Sequence, residues 1–139
     1  MPPDAARVAE TREWLAKAAL DLRAAEFEVT AQPPLTADIV FHCQQLAEKS
    51  LKGFLVWHDV PFRKTHNLVE IGQQCTAVDP TLESLLRRAA GLTEYAWRFR
   101  YPGQLAEPPV AEAQGALARE VYEAILSRLP EETCRDRQG

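Results

Sequence analysis

The sequence predicts an all-α protein, an up-and-down bundle of four long helices and one short one. Three observations carry that expectation. Apolar residues recur at steps of three, four and seven along most of the chain, the period of a helix with one buried face. No segment alternates apolar and polar residues with period two, and no Asn-Gly or Asp-Gly hairpin turn is present. Prolines and capping residues divide the periodic stretches into pieces joined by brief loops, which makes successive helices antiparallel.

Asp4 can cap the first helix, which is expected to run to about Ala31. Val8, Leu15, Ala18, Leu22, Ala25 and Val29 form its buried face, and Arg7, Arg12, Lys17, Asp21 and Arg23 lie off that face. Gln32-Pro33-Pro34 ends it, because the residue before a proline is pushed out of the helical region.

Thr36 or Asp38 can cap the second helix, which extends to Trp57 or His58. Ile39, Val40, Cys43, Leu46, Ala47, Ser50, Leu51, Phe54, Leu55 and Trp57 cover more than half of its circumference, so it should be central and packed on more than one side. What remains is a polar stripe of His42, Gln45, Glu48, Lys49 and Lys52, stacked at spacings of three and four. Glu48 is placed to pair with Lys52 along the helix.

The connection Asp59 to Lys64 contains a proline stop. Asn67, with Glu70 three residues on, reads as a capping box for a short third helix ending near Cys75 or Ala77, with Thr65 as the rival cap. Asp79-Pro80 starts a fourth helix sharply. Its stripe is Leu82, Leu85, Leu86, Ala89, Leu92, Thr93 and Ala96, and it ends between Ala96 and Arg100. Pro108-Pro109 opens the last helix, with Val110, Ala113, Leu117, Val121, Ala124 and Ile125 inward, and Pro130 stops it. The whole chain, 1–139, reads as one domain, with residues 129–139 a frayed polar tail.

Composition bounds the function. A formal net charge of -4 argues against coating nucleic acid by bulk electrostatics, though a local basic patch is compatible with it. Cys43, Cys75 and Cys134 are odd in number and far apart, so they suggest neither a zinc site nor a disulfide framework but reduced thiols in a cytoplasmic protein. Cys43 should pack as a small hydrophobe. The first residues lack the apolar core of a signal peptide, and no run approaches the roughly 18 apolar residues of a membrane span. Phosphate-loop, dinucleotide-binding, zinc-protease and nucleophile-elbow motifs are all absent. No metal or cofactor is expected.

Three features can carry chemistry. The first is the stripe of His42, Gln45, Lys49 and Lys52, either a solvated face or a phosphate-recognising or general-base surface. The second is Arg63-Lys64-Thr65-His66-Asn67, where two cations and an imidazole precede a helix N-terminus, an arrangement that favours anions; the plainer reading is a capping turn with exposed charges. The third is Tyr95 to Pro102, in which aromatics alternate with Arg98 and Arg100. Arginine forks bind phosphates and aromatic faces stack bases, but Trp97 and Phe99 read better as core or interface residues.

The run His42-Cys43-Gln44-Gln45-Leu46-Ala47-Glu48-Lys49-Ser50-Leu51-Lys52, then Thr65-His66-Asn67-Leu68, then Arg100-Tyr101-Pro102, resembles the HEPN domain family in order and spacing over essentially the whole chain. The resemblance implies a helical bundle, usually a homodimer, often encoded beside a minimal nucleotidyltransferase in a toxin–antitoxin or nucleotide-handling module. Many relatives are metal-independent RNases that pair an Arg with a His a few residues downstream, at a late helix. Here no histidine follows Arg98 or Arg100, since His42, His58 and His66 are the three in the chain. The expectation is therefore a module that binds nucleotide or RNA phosphate rather than an enzyme. Its candidate ligand-binding residues are His42, Gln45, Lys49, Lys52, Arg63, His66, Arg98, Arg100 and Tyr101. The alternative is an RNase toxin that uses His66 or His42 in place of the missing histidine.

Overall fold

A computed structural model describes residues 4–96, 98, 101–103 and 106–134. Among the described residues six α-helices follow one another: α1 (Ala5–Val29), α2 (Thr36–Trp57), α3 (Leu68–Val78), α4 (Glu83–Ala89), α5 (Pro108–Ser127) and α6 (Glu131–Cys134). Short 3₁₀ segments, Pro80–Leu82 and Ala90–Ala96, flank α4. The protein is an all-α bundle, and the described residues contain no strand.

Helix α2 is the centre, as its apolar circumference predicts. It packs against α1, α3, α5 and the second 3₁₀ segment. Val40, Ala47, Ser50 and Leu55 are fully enclosed. Helices α1 and α2 run antiparallel: Trp14 and Leu15 lie against Gly53, Asp21 binds Lys49, and Glu28 lies beside His42. A Cβ at Gly53 would come within 3.2 Å of the Trp14 Cβ, so the glycine allows the two backbones to approach.

Helix boundaries follow local chemistry, with several departures from expectation. Asp4 caps α1, accepting from the Ala6 N–H at 3.0 Å. The cap of α2 is Leu35, without a side-chain bond, whereas Thr36 and Asp38 lie inside the first turn. Asp38 there complements the positive end of the helix instead of capping it. At the other end Asp59 takes the left-handed conformation (φ 56°). The Asp59 N–H donates to the Val56 carbonyl at 3.0 Å and the Val60 N–H to the Leu55 carbonyl at 2.9 Å. This is a Schellman cap, and it reverses the chain so that the loop 59–67 folds back along α2.

The expected fourth helix is interrupted. Only Glu83–Ala89 is α-helical, and 3₁₀ turns precede and follow it. Gly91 lowers helix propensity at the break, and the side chain of Asp79 tightens the start by accepting from the Thr81 N–H at 3.0 Å. The predicted frayed tail is partly ordered too. Glu131–Cys134 forms a helical turn with Thr133 fully buried, and the Glu132 carbonyl accepts from Arg12 of α1 at 2.5 Å. Val29 and Ala113, placed inward by the helical period, are exposed; the inward face of α5 is that of Ala111, Ala118, Val121, Tyr122 and Ile125.

Candidate functional site

The polar stripe of α2 does not face solvent as a band. It is drawn into two compact groups, each built around a buried carboxylate. The first carboxylate is Asp21 of α1, whose side chain is 8% exposed. It accepts from His42 Nδ1 at 2.8 Å and from Lys49 Nζ at 2.6 Å. Glu28, one heptad further along α1, brings Oε1 within 3.7 Å of His42 Nε2, so both ring nitrogens face carboxylates. Burial, set against the lowering influence of His42, pushes the Glu28 carboxyl above its ordinary value.

The second carboxylate is Glu48 of α2, 4% exposed. It collects three donors: Gln44 Nε2 at 3.0 Å, Lys52 Nζ at 3.0 Å and His66 Nδ1 at 2.7 Å. Gln45 Nε2 donates to Gln44 Oε1 at 2.6 Å, and Gln44 Nε2 also reaches the His66 carbonyl at 3.3 Å. Lys52 is 8% exposed and lies over the rings of Trp14 and Phe62, 5.5 and 5.7 Å from their centroids. The expected Glu48–Lys52 pair is therefore present, and it is enclosed by aromatics. Burial alone would raise the Glu48 carboxyl, but the bonds from Gln44, His66 and Lys52 outweigh it and hold the group below its ordinary range.

The loop from Asp59 to Asn67 is pinned onto this second group. Phe62 meets Trp14 edge-on at 6.1 Å, the Pro61 carbonyl accepts from Gln74 at 2.9 Å, and His66 is bonded to Glu48. Arg63 and Lys64, between the pins, are exposed. Arg63 Nε bonds Glu70 Oε1 at 2.7 Å, so Glu70 does not close the expected capping box. Asn67 is the cap of α3, accepting from Val69 N–H at 2.9 Å; Thr65 Oγ1 accepts from Asn67 N–H and Thr93 Oγ1 from Leu68 N–H. The N–H groups of Asn67, Leu68 and Val69 are thus already matched by side chains and not open to an anion.

Of the sequence-predicted residues, His42 and Lys49 meet at Asp21, and Gln45, Lys52 and His66 meet around Glu48 and Gln44. Arg63 pairs with Glu70 beside the loop. Arg98 is exposed and binds Glu94 at 2.9 Å, and Tyr101 is exposed beyond it. Arg100, Trp97 and Phe99 lie outside the described residues. Asp21 and Gln44 were missed by sequence reasoning. A signal for the first existed: cations on a mostly buried helix need a carboxylate partner, and the antiparallel neighbour offers one.

His66 differs from every other member. Its side chain is 69% exposed, and among the described residues its Nε2 makes no hydrogen bond. An imidazole held at Nδ1 by a buried carboxylate, with Nε2 outward, can donate to or accept from a ligand. Burial pushes the Cys43 and Cys75 thiols up to about 12, so both stay protonated and pack as small apolar groups. Among the described residues no group of three or more His, Cys, Asp or Glu side chains is placed to hold a metal ion. None of their helices is long and apolar enough to cross a membrane.

The sequence pattern of the HEPN domain matches residues 11–129. The chain belongs to the HEPN domain family. No curated protein and no solved structure matches it. The match spans both carboxylate-centred groups, the pinned loop and the arginine–aromatic stretch. As a HEPN domain, the chain is a helical domain of a nucleotide- and RNA-related family. The exposed imidazole of His66 lies on the loop before α3, and no histidine follows Arg98 in the sequence.

Proposed function

We propose that this HEPN protein binds the phosphate of a nucleotide or of RNA at the face around His66. One observation carries the reading: the exposed imidazole of His66 is held by a buried carboxylate, beside exposed Arg63 and Lys64. Preorganised, charge-assisted donors are what a phosphate oxygen needs. Gln45 and Lys49 of α2, and Arg98, Arg100 and Tyr101 of the later stretch, are assigned to the same site. Lys52 acts from inside, since it is buried and bonded to Glu48, and both nitrogens of His42 face carboxylates. In keeping with its family, the protein acts as a cytoplasmic homodimer and partners a minimal nucleotidyltransferase in a toxin–antitoxin-like module.

The test is calorimetric titration with a nucleoside monophosphate and a short ribo-oligonucleotide. The Lys49→Ala/His66→Ala double variant should lose at least tenfold in affinity, about 1.4 kcal/mol, while its helical circular dichroism is retained. Unchanged affinity in that variant would sink the site.

A second reading, a metal-independent endoribonuclease, is favoured by the Glu48–His66 dyad, which has the geometry of a base held by an orienting carboxylate. His42 suits that role less, because both of its nitrogens face carboxylates. RNA incubated with pure protein in EDTA separates the two readings. Cleavage that vanishes in His66→Ala identifies an enzyme, and intact RNA leaves the binding module.

A further inference from the structure

We infer that Glu48 is the positioning residue of His66: it holds the neutral imidazole as the Nδ1–H tautomer, so that Nε2 is the nitrogen offered to the ligand. The inference deepens the proposed phosphate site and rests on His66 being its contact group. Glu48 is held below its ordinary range and is therefore ionised and an acceptor only. An Nδ1–Oε1 distance of 2.7 Å then requires Nδ1 to be the donor.

The carboxylate cannot turn away from that role. Lys52 holds its other oxygen at 3.0 Å and is itself confined between Trp14 and Phe62. Gln44 holds Oε1, and the bond from Gln45 fixes the amide orientation of Gln44, with Nε2 toward Glu48. A second bond from Gln44 to the His66 carbonyl fixes the backbone that carries the ring. Side chain and main chain of His66 are thus both referred to α2.

The consequence is specific. Neutral His66 presents a lone pair at Nε2, suited to accept a hydroxyl proton. Protonated His66 presents an Nε2–H, suited to donate to a phosphate oxygen. The other charged groups on the elements around His66 include Lys49 and Lys52 of α2, Asp59, Arg63 and Lys64 of the loop, Glu70 of α3, Glu94 of the second 3₁₀ segment and Arg98 just after it. Lys52 is matched by Glu48, Arg63 by Glu70 and Arg98 by Glu94.

Long-range proton–nitrogen NMR of the full chain labelled with ¹⁵N-histidine tests this directly. Wild-type protein with neutral His66 should show a protonated Nδ1 and an unprotonated Nε2. In Glu48→Leu/Lys52→Met, where both buried charges go together, that preference should disappear. An Nε2–H tautomer in the wild type overturns the assignment, and this measurement stands even where the variant fails to fold. The same tautomer in a folded variant overturns it as well. Adding adenosine monophosphate should move the Nε2 resonance. If Nδ1–H is seen but Nε2 does not respond, the positioning role holds and the phosphate-binding reading falls.

Discussion

Asp21–His42–Lys49 and Glu48–His66–Lys52 are built from the same three kinds of side chain. In each, one buried carboxylate accepts from one imidazole and one ammonium. They differ in what they join and in how much water reaches them. The Asp21 group ties two helices together, and its two donor side chains are about a quarter exposed, His42 at 26% and Lys49 at 23%. The Glu48 group ties a helix to a loop, buries its ammonium among aromatic rings and leaves its imidazole outside. The same chemistry therefore acts as a helix clamp in one place and as a mount for an exposed ring in the other.

The contrast predicts unequal costs. Glu48→Ala leaves Lys52 charged, enclosed and unpaired, and should lower unfolding free energy by about 3–5 kcal/mol. Asp21→Ala leaves Lys49 and His42 able to rehydrate, and should cost about 1–3 kcal/mol. Urea unfolding of both variants measures the difference. Equal costs would show that exposure of the cations does not separate the two groups.

The smallest effect is in the response to acid. Glu48 is depressed, so the stability it contributes is complete above its ordinary value of 4.5 and is lost as pH falls through the lowered one. Glu28 is raised by burial, so its ionised form opposes folding near neutrality, and that opposition is relieved as pH falls through the raised value. Urea midpoints followed against pH should therefore flatten above 4.5 in Glu28→Gln and below 4.5 in Glu48→Leu/Lys52→Met. The reverse pattern would mean that the two carboxylates have been assigned opposite roles wrongly.

Much of the fold was legible because it depends on periodicity and on prolines. The apolar girth of α2 announces a central helix, and Pro33, Pro61 and Pro108 mark breaks that the structure keeps. The interrupted fourth helix was harder, since Gly91 lowers propensity without forbidding a helix. The spacing of His42, Lys49 and Lys52 made a polar stripe legible, and the turn before α3 made His66 legible. What it hid was their pairing. Whether Lys52 faces water or Glu48 depends on Trp14 and Phe62, one from another helix and one from a loop redirected by a left-handed Asp59. Asp21 sat at the edge of the apolar face of α1, and only the neighbouring helix made it an interior residue.

The carboxylate of Asp21 also acts as a key to alignment. Apolar contacts between α1 and α2 are tolerant of sliding, because one Leu or Ala replaces another. A slip of one turn, about 5.4 Å, would carry Asp21 away from its seat between His42 and Lys49 and leave a buried negative charge without its ammonium. Misaligned packings of the two longest helices are thereby excluded, and the loop that follows α2 always begins at the same height on α1.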